Sequence, residues 1–186
     1  NNAGGFSFYK SAANGRFMRF RPNTIPMDQP GRYVYVHDTD SKDYWSTAWQ
    51  PVAKPHNSYK TKTRHGSAYT IKESEYSHIA TETKFFVPLG KTYECWSMKI
   101  TNNDTKTRNL RFFTYVEYAT HWSLYQDIIN LQYSQYIVRM SYHNGIINQA
   151  SNPYLPVVKE NFNVEQSRHT FLGLVGAEVS GFDTDR

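Results

Sequence analysis

The chain has a single cysteine, Cys95, in 186 residues. One thiol excludes an internal disulfide and any zinc site built from several cysteines. Its surroundings, Tyr93-Glu94-Cys95-Trp96-Ser97-Met98-Lys99-Ile100, read as a strand, which makes it a buried or half-buried structural thiol rather than a nucleophile. Seven histidines are dispersed at 37, 56, 65, 78, 121, 143 and 169. No His-x-x-x-His or Cys-x-x-Cys spacing occurs, so no metal is expected. Long apolar runs are missing as well, so no bilayer-spanning segment is expected, no signal peptide is visible, and no membrane partner is expected. There is no glycine-rich phosphate loop opening a helix and no Gly-x-Ser-x-Gly elbow. Strong charge of one sign is also absent: 21 basic against 16 acidic residues leave +5. The basic residues are scattered. Their densest cluster, Lys60-Thr61-Lys62-Thr63-Arg64, reads as a solvated strand or loop face, and no nucleic acid is expected.

Aromatics are plentiful, at 16% of the chain. Tyr, Phe and Trp favour strands over helices. Alternating or aromatic runs predict strands over Phe17–Arg21, Arg32–His37, Tyr44–Trp49, Gly66–Glu73, Ile79–Val87, Tyr93–Asn102 and Leu110–Tyr118. Turn chemistry separates them at Pro30-Gly31, Asp38-Thr39-Asp40-Ser41, Pro88-Leu89-Gly90 and Asn102-Asn103-Asp104-Thr105. Short strands with turns about every ten residues indicate an all-β chain folded as an antiparallel sandwich or barrel. The middle departs from this. Trp122, Tyr125, Ile128, Ile129 and Gln132 are spaced for one helical face, so a short helical or irregular excursion is expected near 122–133. Strand resumes over Gln135–Tyr142, a turn follows at His143-Asn144-Gly145, Asn148–Gln166 reads as a long loop, and Arg168–Val175 is the last strand. The whole is read as one domain, 1–186, cut from a longer protein.

Residues that could carry chemistry have bland readings beside them. Arg64-His65-Gly66 could contact a phosphate, but a strand-end pair with Gly66 relieving a crowded backbone is the better reading. Glu73, Glu75 and Glu82 fall on the outward side of alternating strands, while Glu94 and Glu117 lie in strands whose faces stay unassigned. A glycoside-cleaving site needs an acid of tuned pKa. No carboxylate here has a partner at a telling spacing, so ion-paired or solvated carboxylates are expected and no catalytic residue is assigned. The opening Asn1-Asn2-Ala3-Gly4-Gly5-Phe6-Ser7-Phe8-Tyr9 sets a glycine pair before an aromatic strand. It is either a corner admitting a neighbouring strand or a place where a hydroxyl-rich ligand comes close. Tyr125-Gln126-Asp127 and Gln132-Tyr133, on the excursion, are less core-like than the other aromatics.

Several stretches carry a resemblance. Asn2-Ala3-Gly4-Gly5-Phe6-Ser7-Phe8-Tyr9, Arg19-Phe20-Arg21, Gly31-Arg32-Tyr33, Trp49-Gln50-Pro51-Val52, Arg64-His65-Gly66, Phe86-Val87-Pro88-Leu89-Gly90, Phe113-Thr114-Tyr115-Val116-Glu117-Tyr118 and Gly181-Phe182-Asp183-Thr184-Asp185-Arg186 occur in order. Together they resemble the N-terminal domain of glycoside hydrolase family 94, the inverting phosphorylases of β-linked glucosides, and most closely its cellodextrin-cleaving members. Cellobiose-, chitobiose- and laminaribiose-cleaving members are near relatives. The resemblance implies a large antiparallel β-sandwich of supersandwich type, preceding an (α/α)6 barrel that carries the general acid and the phosphate-binding groups. It implies phosphorolysis of a β-glucan oligosaccharide by inorganic phosphate, no cofactor, a cytoplasmic homodimer, and a part for this domain in dimerisation and in the sugar cleft. Tyr9 matches the tyrosine that ends the family's Gly-Gly-aromatic-Ser-aromatic-Tyr motif. Gln132-Tyr133 matches a Gln-Arg pair of the cellobiose-cleaving members, with the arginine replaced by a ring that could stack on a further glucose unit. Tyr9, Gln132 and Tyr133 are thus the expected substrate-binding residues. A domain of a laminaribiose- or cellobiose-cleaving member, or a free-standing carbohydrate-binding module, is the alternative.

Overall fold

The computed structural model describes residues 7–8, 17–21, 29–119, 134–151 and 168–184. Almost all regular structure among them is antiparallel strand. The strands are β1 Phe20–Arg21, β2 Gln29–Pro30, β3 Arg32–Asp38, β4 Tyr44–Ser46, β5 Lys60–His65, β6 Tyr69–Tyr76, β7 Ile79–Phe86, β8 Cys95–Asn102, β9 Leu110–Val116, β10 Val138–His143, β11 Ile146–Ser151 and β12 Arg168–Gly173. A single helical turn, Ser134–Ile137, precedes β10. The chain divides into two compact units, one of residues 1–6 and 20–116 and one of 7–19 and 117–186.

The first unit contains a four-stranded sheet, β5-β6-β7-β8, a three-stranded sheet, β4-β3-β9, and the small β1-β2 pair. Two strands show why the two larger sheets pack face to face. In β3, Val34, Val36 and Asp38 are buried and alternate with half-buried Tyr33, Tyr35 and His37. In β7, Ile79, Thr81 and Thr83 are buried and alternate with Ala80, Glu82 and Lys84. This two-residue period is that of a sheet with one face covered. Val36, Trp45, Tyr59 and Ile79 form the core, with Trp49, Tyr76 and Leu110 against it. The Tyr59 hydroxyl donates to the Ser46 carbonyl at 2.8 Å, so its polar end is satisfied inside.

The second unit contains β10-β11-β12, in that order. β11 is its centre, paired along its whole length to β10 and β12. Met18 bridges Tyr118, the Ala119 amide donates to the Phe17 carbonyl at 2.9 Å, and the Gln149 side-chain amide donates to the Ala119 carbonyl at 3.3 Å.

Several expectations shift. Lys60–His65 is a full edge strand. The strand expected over Gly66–Glu73 runs over Tyr69–Tyr76, because Gly66 belongs to the hairpin loop and its amide donates to the Tyr69 carbonyl at 2.8 Å. The strand at Tyr44 stops at Ser46, whose hydroxyl donates to the Ala48 carbonyl at 2.7 Å; such local bonds compete with a ladder. The strand expected from Gln135 begins instead as the helical turn. The expected loop from Asn148 overlaps β11, where Gln149, Ala150 and Ser151 are buried although two of the three are polar. The excursion 122–133 lies outside the described residues, as does most of 148–166.

Candidate functional site

Tyr9, Gln132 and Tyr133, the expected sugar-facing residues, all lie outside the described residues, as do Tyr125, Gln126 and Asp127. What the structure does position is a set of buried charges in the first unit.

Arg32 opens β3 and faces β7 and β8. Its guanidinium donates to a Glu94 carboxylate oxygen, and the Trp96 indole N–H donates to the same oxygen. The guanidinium lies 4.1 Å from the Phe85 ring centre and 5.5 Å from that of Trp96. The Arg32 and Glu94 side chains are only 10% and 12% exposed. Burial draws the Arg32 pKa down and Glu94 raises it. The planar, weakly hydrated guanidinium suits such a stacked, ion-paired position better than an ammonium would.

Lys72 sits behind this pair on β6. Register sets it between Thr63 of β5 and Thr83 of β7. It is 5% exposed. Burial, reinforced by the positive charge of Arg32, brings its pKa down to about 7. One row along, the Ser74 and Thr81 hydroxyls meet at 2.7 Å. The inner face of the four-stranded sheet is therefore strongly polar.

A third cluster ties loops together. Asp38, at the end of β3, is 1% exposed. It accepts from the Asp40 amide at 3.0 Å, from the Ser41 hydroxyl at 2.7 Å and from the Arg108 guanidinium. Arg108 also donates to Asp104 at 2.9 Å and to the Ser77 carbonyl at 2.9 Å. Burial pushes the Asp38 carboxyl up, but the hydrogen bonds from Ser41, Arg108 and the backbone outweigh it and hold the pKa at about 2.

The remaining carboxylates are likewise engaged in ion pairs and hydrogen bonds. Asp43 accepts from Lys54 at 2.6 Å and from the Tyr76 hydroxyl at 2.9 Å. Glu73 pairs with Arg64, Glu75 with Lys60 and Glu117 with Arg19. Among the described residues, the carboxyls whose pKa shifts all shift downward. Asp38 and Asp43 do so because hydrogen bonds prevail over burial, and Asp104 because Arg108 donates to it. A general acid needs the opposite shift. Among the described residues no group of His, Cys, Asp and Glu could hold a metal ion, and no helix is long and apolar enough to cross a membrane. Arg64 and His65 prove to be a strand-end pair, bonded across to Glu73 and, at 3.0 Å, to Thr70. Cys95 is half-buried. Outside, Lys62, Glu73, Glu82 and Lys99 stand side by side across the four strands. They floor an open depression of about 350 Å³. Sequence reasoning placed Glu73 and Glu82 outward correctly. It missed Arg32 and Lys72, whose only signal is phase: a lysine sharing a strand face with Ser74 and Tyr76.

Residues 1–186, the whole chain, match the model of the Glycosyl hydrolase 94, supersandwich domain. The chain belongs to that family. Two relatives are N,N'-diacetylchitobiose phosphorylases, from Vibrio proteolyticus, 40% identical over 78% of this chain and 18% of its own length, and from Vibrio furnissii, 37% identical over 96% and 23%. A third is a solabiose phosphorylase from Paenibacillus borealis, 25% identical over 83% of this chain and 18% of its own length. The chain thus spans about a fifth of the length of these curated relatives. Its two larger sheets in the first unit, packed around Trp45, fit the supersandwich architecture of the glycosyl hydrolase 94 family.

Proposed function

We propose that this chain is the single β-sandwich domain of a cytoplasmic, homodimeric glycoside phosphorylase, which transfers a sugar from a β-linked oligosaccharide to inorganic phosphate. The observation that carries the reading is the family match over residues 1–186, with relatives named as phosphorylases. In this reading phosphate attacks the anomeric carbon, the glycosidic oxygen leaves with a proton from an acid outside this chain, and a sugar 1-phosphate of inverted configuration forms. Phosphate is itself the nucleophile, so no second carboxylate is needed to activate a water. The chain contributes Tyr9, Gln132 and Tyr133 to the sugar cleft.

Two relatives named for N,N'-diacetylchitobiose favour that N-acetylated disaccharide as substrate. A second reading, a cellodextrin, is favoured by Tyr133, a ring suited to stacking on an added glucose unit. The full-length protein, supplied with phosphate and N,N'-diacetylchitobiose, cellobiose or cellotetraose, separates them when sugar 1-phosphate is assayed. Release from N,N'-diacetylchitobiose is expected. Release from the cello-oligosaccharides and not from N,N'-diacetylchitobiose carries the second reading, and Tyr133→Ala then costs more on cellotetraose than on cellobiose. Release from no β-linked oligosaccharide overturns the phosphorylase reading.

A further inference from the structure

A cavity of about 20 Å³ lies between the two larger sheets of the first unit, lined among others by Val34, Thr47, Lys72, Thr83 and Trp96. About 10–15 Å³ is enough for one water molecule, and a buried water stays where two or more polar groups can bond it. The polar groups are present. The Thr83 hydroxyl is wholly buried, and among the described residues no group lies within hydrogen-bond reach of it. Thr83 as a whole is 1% exposed. Native proteins rarely leave such a hydroxyl unmatched. Lys72 is the register partner of Thr83 on the neighbouring strand and lines the same cavity. Side chains directly opposite on one sheet face have their roots about 5 Å apart, so both can line one small cavity. On the other side of Lys72, the Thr63 hydroxyl is likewise buried without a hydrogen-bond partner among the described residues.

We propose that this cavity is a binding site for one ordered water, which bridges the Thr83 hydroxyl and the Lys72 amine between the sheets. The water accepts from the amine and completes the hydrogen bonding of the hydroxyl. It hydrates a lysine that the fold has otherwise removed from solvent. Nothing in this inference depends on the phosphorylase reading.

The test is a crystal structure of the full-length protein, at a resolution where buried waters are seen, beside those of Thr83→Val and Thr83→Ser. One density peak within hydrogen-bond distance of Thr83 Oγ1 and Lys72 Nζ is expected in the native protein. It should persist with serine, which keeps the hydroxyl, and vanish with valine, which keeps the shape. An empty cavity in the native protein overturns the proposal, and so does a peak unmoved by the valine. Anomalous scattering at the position after a bromide soak also overturns it, because the site then takes an anion. If Thr83→Val does not fold, the native and serine structures and the bromide soak still decide.

Discussion

Lys72 carries its charge at a cost that depends on pH. Its pKa in the folded protein is about 7, below the ordinary 10.5, first through burial and then through Arg32. Between those two values the unfolded chain binds more protons than the folded one, so this residue makes stability rise with pH across that window. Below about 7 the folded state bears the whole cost of a charged amine among Thr63, Thr83 and the Arg32–Glu94 pair. Lys72→Met is expected to remove that dependence. In the full-length protein the urea midpoint of the variant should exceed that of the native protein most at about pH 6, by the equivalent of roughly 1–4 kcal/mol, with the gap closing toward pH 10. Asp38 behaves in the opposite sense. Its pKa of about 2 gives stability that is present above the ordinary carboxyl value and lost as pH falls toward 2. A constant gap between native and Lys72→Met proteins at every pH would show that Lys72 does not titrate in this range.

The hairpins show how an element can form against its local propensity. Asn144 and Gly145 link β10 to β11 with φ of 47° and 80°, the left-handed pair a two-residue hairpin loop requires, and Asn-Gly announces it. Ser77 and His78 link β6 to β7 in the same way, with φ of 50° and 63°, but neither is glycine. A residue with a Cβ pays about 1–2 kcal/mol to sit there. Tertiary contacts hold the loop. Arg108 donates to the Ser77 carbonyl, and the Asn103 amide donates to the His78 carbonyl at 2.8 Å. His78→Gly keeps both backbone contacts and relieves the strain. It should raise the urea midpoint of the full-length protein by the equivalent of about 1 kcal/mol, while His78→Ala, which keeps the Cβ, should not. A glycine variant no more stable than the alanine variant would contradict the strain argument.

Legibility in the sequence follows the same division. The strands over Arg32–His37, Ile79–Val87 and Leu110–Tyr118 were readable because apolar alternation and turn residues agree. β5 was not, since Lys60, Lys62 and Arg64 are its outward residues and the inward ones are threonines. In β6, Ile71 suggests one inner face, yet the buried side belongs to Lys72 and Ser74. A polar inner face leaves no hydrophobic phase to read, and an error of one residue turns every side chain over. The buried pair of Arg32 and Glu94 brings together residues 62 apart in the chain, which no local pattern records. The family resemblance was legible because its stretches recur in order over the whole length, although each is weak alone.

At the scale of the whole molecule, the question is whether this chain shapes a cleft or breaks the bond. Glu94 is the most deeply enclosed glutamate among the described residues that form ion pairs. One Glu94 oxygen takes both the Arg32 and the Trp96 donors. The contact ties the start of β3 to the strand that carries Trp96. Glu94→Gln in the full-length protein should therefore lower the thermal midpoint by several degrees, because Arg32 loses its counter-charge in a dry place. On the proposed phosphorylase reading, phosphorolysis by the surviving folded protein should change by less than about threefold, against the 10²–10⁴-fold loss that follows removal of a general acid. The two readouts pull apart cleanly: a collapse of kcat with an unchanged midpoint would put bond breaking inside this sandwich. A lowered midpoint with kcat retained leaves the chain as the frame of a site whose proton and phosphate are handled by groups encoded elsewhere.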